Sequence, residues 1–331
     1  MLTVYLDQNK WIDLARAYHD RADGRPFLDV LELAEYASEH RLASFPLSTM
    51  HYLETWKHAD EGKRERLALV MARLSRFDTI ASISHVLPAE IEAALNRLFG
   101  RPARPRRLRV FGRGISHAFG KDLTIKLQRV EDIPASIQDE LHHELWKLSE
   151  FWYIGALRPS EEVPPLQTEG LNRFSTEFMD AEKTIVAAME EARAAKDDRD
   201  RVALVRTVLD VIAAGPLFDI CARAGVTREE FYSLGAEGLL RFVQLLPSRH
   251  VNFELQKLRY EDSALPRREG DLLDLEALSI AVAYCDVVIT ERHWVHLIKR
   301  AGLHKLRNTT VLSDLRQLGP ILVKGEARAS S

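Results

Sequence analysis

Four short stretches place a carboxylate where a strand or helix pattern begins or ends. They are VYLDQN with Asp7, HYLETWK with Glu54, GDLLDLEALS with Asp271 and Asp274, and VVITERHW with Glu291. Taken singly, each has an ordinary structural use. Asp7 and Asp271 suit helix N-caps, Asp274 suits the positive N-terminal end of its helix, Glu54 could face solvent, and Glu291 could cap the last helix. Gathered in one place they would do something else. Carboxylates held together repel, and one or more of their pKa values rise unless a cation neutralises them. Oxygen donors of this kind suit Mg²⁺ or Mn²⁺ rather than zinc. Such an ion can activate water and stabilise charge on a phosphate as a P–O bond breaks. His293 and His296 follow Glu291 closely, although a surface or packing role is their simpler use.

The elements that must position these residues follow from hydrophobic period. Residues 2–6 read as a buried strand and 9–19 as a helix with Trp11, Ile12, Leu14 and Ala15 on one side. A helix is expected over 27–42, a short strand within 42–48, and a helix from Ser48 through Leu53 and Trp56. The run DEGKRER at 60–66 reads as a solvated bridge or turn, DTIAS at 78–82 as another strand, and 88–100 as a helix with Pro88 at its start and Gly100 at its end. From about 120 to 245 the pattern is helical, broken by RPSEEVPP at 158–165 and a charge run at 190–201. Past residue 245, DLLDLEALSIAVAYC reads as a helix, DVVIT as a buried strand, RHWVHLIKRAG as a helix and TTVLSDL as a strand. Alternating strands and helices argue for a parallel sheet with helices on both faces, whose ligands sit at the carboxyl ends of the strands. Asp7 is at one such end.

In order and spacing these motifs resemble the PIN domain family of nucleases. The resemblance rests on VYLDQN, the glutamate of HYLET, DLEALSIAVAYCDVVIT and the ER after its threonine, with Asp274 sixteen residues before Thr290. It covers about 1–98 and 246–323 and implies a Rossmann-like three-layer α/β/α sandwich with a central parallel sheet. A mostly helical subdomain, 99–245, would be inserted between the two core pieces, and 324–331 would be a disordered tail. Carried over residue by residue, Asp7, Glu54, Asp274 and Glu291 would be catalytic and hold Mg²⁺ or Mn²⁺, with Asn9, Asp271 and Thr290 in support. Two positions depart from the family pattern. Glu291 stands where an aspartate is usual, and Gln8 stands where threonine or serine commonly follows the first aspartate. The implied activity is metal-dependent cleavage of a phosphodiester, in RNA rather than DNA. Many proteins of the family are toxins or processing factors, so a toxin or defence role is among the expectations, although this chain is far longer than the compact toxin form. The alternative is a catalytically weak scaffold of the same fold that binds nucleic acid or a protein.

A site made of acids needs cations nearby to hold a polyanion. RPARPRRLRVFGR, residues 101–113, offers Arg101, Arg104, Arg106, Arg107, Arg109 and Arg113 with no acid between them, in a stretch that its prolines and glycine keep irregular. Such a loop contacts phosphates without reading sequence, unless it is a surface linker paired with acids from the insertion. The helical insertion would restrict access or meet a regulatory protein. Within it, WKLSEFWYIGAL at 146–157 suits a core or an interface between two copies of the chain, DELHHELWK suits an exposed face, and 220–235 suits an ordinary helix pair. With 46 Lys and Arg against 49 Asp and Glu, bulk charge announces no nucleic-acid binder, so any such surface must be local. Two cysteines, both in apolar context, exclude a zinc or disulfide framework and fit a reducing cytoplasm. The longest apolar run, 278–289, is too short to span a bilayer, so no membrane partner is expected. No glycine-rich loop follows the first strand, which disfavours a dinucleotide-binding enzyme.

Overall fold

The computed structural model describes residues 1–123, 135–155, 216–261 and 270–323. The breaks expected at 158–165 and 190–201 and the tail 324–331 lie outside the described residues. The chain forms two compact units. The first is drawn from Met1–Ser82, Val110–Arg158 and Tyr284–Ser331, and the second from Ile83–Arg109 and Pro159–Ala283.

The first unit is α/β. Its main sheet has four parallel strands, β1 (Leu2–Leu6), β2 (Ala43–Ser44), β5 (Val287–Ile289) and β6 (Thr310–Leu312), in the order β2-β1-β5-β6. Register pairs Leu2 with Ala43, Val4 with Val287, Leu6 with Ile289, and Ile289 with Leu312. Val4, Leu6, Val288 and Ile289 are fully buried, as continuous apolar strands of a parallel sheet require. From β1 the chain crosses to β2 on one side, and from β5 to β6 on the other. The carboxyl ends of β1 and β5 therefore flank a topological switch point, where open α/β sheets form their ligand crevice.

Four helices follow the first strands: α1 (Gln8–Tyr18), α2 (Leu28–Glu39), α3 (Thr49–Lys57) and α4 (Glu61–Ser75). Trp11 and Leu14 of α1 have no exposed surface, nor do Ala34, Tyr52 and Met71 of the helices after it. The run 60–66 is neither a bridge nor a turn. Asp60 caps α4 by accepting from the Lys63 backbone N–H at 3.0 Å, and Glu61 to Arg66 form its first turns, with the Arg64 side chain buried against the His58 and Gly155 carbonyls. The helix Ala135–Gly155 is tied down by the Trp56 indole, which donates to the Tyr153 carbonyl at 2.7 Å.

The strand at DTIAS does form, as β3 (Asp78–Ile80), but outside the parallel sheet. It pairs antiparallel with β4 (Phe111–Arg113), so the last three residues of the arginine-rich stretch are regular rather than irregular. Gly114 follows β4 at φ 78°, and a Cβ there would come within 2.5 Å of the Glu150 carboxylate, so only glycine fits.

The second unit is helical among its described residues. Its first helix is Ile83–Phe99, which begins a turn earlier than expected and carries Pro88 inside it. Leu87, Ile91 and Leu95 of this helix share a core with Ile220, Phe231, Phe242 and Leu246. Glu90 accepts from the Ser248 backbone N–H and hydroxyl at 2.9 and 2.7 Å. A second polar knot pairs Arg249 with Glu276 through two hydrogen bonds of 3.0 and 2.9 Å, with Asn252 bridging Glu276 and Ser279. Among the described residues no helix is long and apolar enough to cross a membrane.

Candidate active site

Asp7 ends β1 and starts α1. Its backbone N–H donates to the Ile289 carbonyl at 2.9 Å, which closes the ladder with β5. The residue is 8% exposed, and its carboxylate serves both neighbouring elements. Oδ1 accepts from the Gln8 N–H at 2.8 Å as a helix cap, and Oδ2 accepts from the Thr290 hydroxyl at 2.7 Å. The cap use and the site use of Asp7 are therefore both realised. Burial pushes its pKa up, and Glu291 adds to this, against the Thr290 and Gln8 hydrogen bonds and the Lys10 charge.

Thr290 and Glu291 leave β5 together, and Thr290 is fully buried. Glu291 occupies the N-cap position of the helix Arg292–Arg300, yet its side chain makes no cap bond. Instead Oε1 accepts from the Asn9 amide at 3.3 Å, and Oε2 lies 3.3 Å from His293 Nδ1. Glu54 comes from the last turns of α3. Burial, reinforced by the Asp7 and Glu291 charges and opposed by Lys57, pushes it up to about 7.

His51 and Thr55, which the sequence reading did not single out, join Gln8 in holding α3 against β1 and α1. His51 Nδ1 accepts from the Ser48 backbone N–H at 2.8 Å, so its proton sits on Nε2, which donates to the Leu6 carbonyl at 2.8 Å. Burial keeps this imidazole neutral by lowering its pKa to about 4. Gln8 donates through Nε2 to the Thr55 hydroxyl at 3.0 Å, next to Glu54. The available signal was Ser48-x-x-His51, a capping box with histidine where glutamate is usual.

Comparison of the chain with protein-family models, with curated proteins and with solved structures finds no match.

The first unit thus joins Asp7 to Thr290 and Glu291 to Asn9 by hydrogen bonds, while Glu54 is linked to Asp7 and Glu291 only through the charges that add to its upward pKa shift. Asp274 lies on the helix Gly270–Tyr284 of the second unit, as does Asp271, whose side chain is outside the described residues. Among the described residues, no three Asp, Glu, His or Cys side chains form a group that could hold a metal ion. The chemistry of the donors nonetheless suits a hard cation. Asp7 and Glu54 are destabilised as anions, and Asn9 Oδ1 and Gln8 Oε1 of the first turn of α1 are buried with no hydrogen-bond partner among the described residues. Buried oxygen acceptors of this kind need a donor or a cation.

The arginines divide. Arg101 donates to the Gly225 carbonyl at 2.6 Å and pairs with Glu230, while Arg106 pairs with Glu92 at 3.0 Å. Arg113 donates to the Arg76 carbonyl and lies over the Trp146 ring at 5.0 Å. Among the described residues only Arg101 meets an acid from the 99–245 stretch; Arg106 and Arg113 are held by Glu92 and by Asp78 at 3.8 Å, which lie before it. Arg104, Arg107 and Arg109 are exposed and form no hydrogen bond or ion pair among the described residues.

Proposed function

We propose that the chain is a metal-dependent nuclease of PIN type, with a Rossmann-like sandwich as its catalytic core and RNA as its favoured substrate. The observation that carries this reading is the electrostatic coupling of Asp7, Glu54 and Glu291 at the β1/β5 switch point. Burial and mutual repulsion raise Asp7 and Glu54 there, a strain that a divalent cation relieves. Asp7, Glu54 and Glu291 would hold Mg²⁺ or Mn²⁺, and Asp274 is the fourth acid of the motif. The bound ion would neutralise the carboxylates and acidify water at the scissile phosphate. Thr290 fixes Asp7 Oδ2, and Asn9 orients Glu291. Glu54, near 7, is in the range where a carboxyl takes a proton at neutral pH.

The test is cleavage of labelled RNA and DNA oligonucleotides in Mg²⁺, Mn²⁺ or EDTA, by the wild type and by Asp7→Asn. Metal-dependent cutting that disappears in the variant supports the reading, and equal cutting by both removes it. A scaffold is the second reading, favoured by Glu291 in an aspartate's place. It predicts binding that needs neither Asp7 nor the ion.

A further inference from the structure

A cleft of about 330 Å³ opens beside Glu291 at the carboxyl end of the sheet, wholly within the first unit. Its walls carry Lys10 and Asp13 of α1, Phe27 just before α2, and Glu291 and Arg292 after β5. Asp314 and Arg316, beyond β6, complete it. Its formal charges look balanced, but the partners are unequally committed. Arg316 binds Asp314 through contacts of 2.6, 3.0 and 3.1 Å, which neutralises both. Asp13 is held by Arg16 at 3.2 Å, and Glu291 is engaged by Asn9 and His293. The side chains of Lys10 and Arg292 form no hydrogen bond or ion pair among the described residues. Lys10 lies within electrostatic reach of Asp7, Asp13 and Asp314 without joining any of them. Phe27 is half-buried, leaving part of its ring on the wall.

We propose that this cleft seats one nucleotide of a single-stranded nucleic acid next to the carboxylates, with Lys10 and Arg292 on its phosphate and Phe27 against its base. This rests on the nuclease reading of the same site. Two uncommitted cations flanking a carboxylate edge fit an anion that must lie beside acids without being repelled. The volume is at the small end of ligand pockets, which run from about 300 to 1,000 Å³, so it suits a single unstacked nucleotide rather than a duplex. A lone aromatic ring is the platform on which an unpaired base stacks.

The test is fluorescence anisotropy with short labelled oligo(U), oligo(dT) and a duplex, in EDTA, so that no cutting is needed. For Lys10→Ala/Arg292→Ala, affinity for the single strands should fall at least tenfold. The slope of log K against log salt should become shallower by about 0.7, the value for one phosphate contact on a single strand. Phe27→Ala should weaken binding about tenfold, a typical loss for one stacked base, and Phe27→Trp should restore it. Lys63→Ala, an exposed lysine on α4, should change nothing. Unchanged affinity and slope in the double variant would overturn the proposal, as would preference for the duplex. Failure of the nuclease reading looks different. A wild type that binds through Lys10 and Arg292 but cuts nothing with any ion keeps the cleft and loses the enzyme. A wild type that cuts, with KM unaltered in the double variant, keeps the enzyme and loses the cleft.

Discussion

Replacing Glu54 by glutamine should make the metal-free protein more stable above neutral pH, and the size of the gain can be worked from the site. A carboxyl whose folded pKa lies above its unfolded value binds its proton more tightly when folded. Its ionisation therefore subtracts stability as pH rises between the two values, and leaves a constant deficit above them. For Glu54 the interval runs from 4.5 to about 7, and at about 1.4 kcal/mol per pH unit the deficit is about 3 kcal/mol by pH 8. Glutamine keeps the shape and removes the charge. His51 works in the opposite sense: with a folded pKa of about 4 against 6.5, it costs stability as pH falls through that range. The two slopes overlap and oppose each other, so the wild-type profile alone is uninformative. The quantity to measure is the difference in thermal midpoint between E54Q and wild type, by circular dichroism in EDTA from pH 4.5 to 8.5. It should be small at the acid end and grow to about 4–6 °C at the alkaline end, taking about 2 °C per kcal/mol for a chain of this size. A difference that stays flat with pH would refute the claim that Glu54 is strained as an anion.

Other substitutions probe the same framework. Mn²⁺ at a hundredfold excess over its dissociation constant should stabilise the wild type at pH 8 by about 2.7 kcal/mol, an effect that Asp7→Asn abolishes in the same melting assay. Thr290→Val removes the donor to Asp7 Oδ2 and should cost about 1–3 kcal/mol in urea denaturation at pH 8, and progressively less as acid protonates Asp7, whose pKa burial raises. His51→Leu strands the Ser48 N–H and the Leu6 carbonyl and should cost about 2–4 kcal/mol, read from the same denaturation curves. Arg249→Met leaves Glu276 charged and buried and should cost about 3–5 kcal/mol, most of which Arg249→Met/Glu276→Leu should recover.

Much of the first unit was legible because its signals are local. Apolar runs mark β1, β5 and β6, and the residue types at their ends mark Asp7 and Thr290. Where reading failed, the deciding contacts were distant. The helix Ile83–Phe99 looked like part of the α/β core, but its apolar side meets Phe231 and Phe242, whose partnership no local period reveals. Its start was misplaced because Pro88 was taken as a first-turn residue. Val86 and Leu87 extend the buried face behind it, enough to carry a proline within the helix. β4 is three residues long with only Phe111 apolar, so it has no alternation to read. Arg106 finds Glu92 fourteen residues upstream and Arg101 finds Glu230 far downstream, pairings that composition alone could not distinguish from free cations. The fourth acid, Asp274, was legible as a residue but not as a member of the second unit.

The question of whether Asp7 is a cap or part of a site turns out to be an energetic one. Serine or asparagine would cap α1 about as well, with no charge to bury. The chain instead places a carboxylate there, almost without exposure, and within reach of two further acids. Two hydrogen bonds and the charge of Lys10 do not bring its pKa back to the ordinary value, so capping leaves a net cost. Both oxygens are nonetheless fixed, one by Gln8 and one by Thr290, and each retains acceptor capacity beyond the bond it has. Among the described residues Asn9 Oδ1 has no donor, and under the proposed metal reading a cation would serve it together with the partly satisfied Asp7 carboxylate, a use that a plain cap does not have.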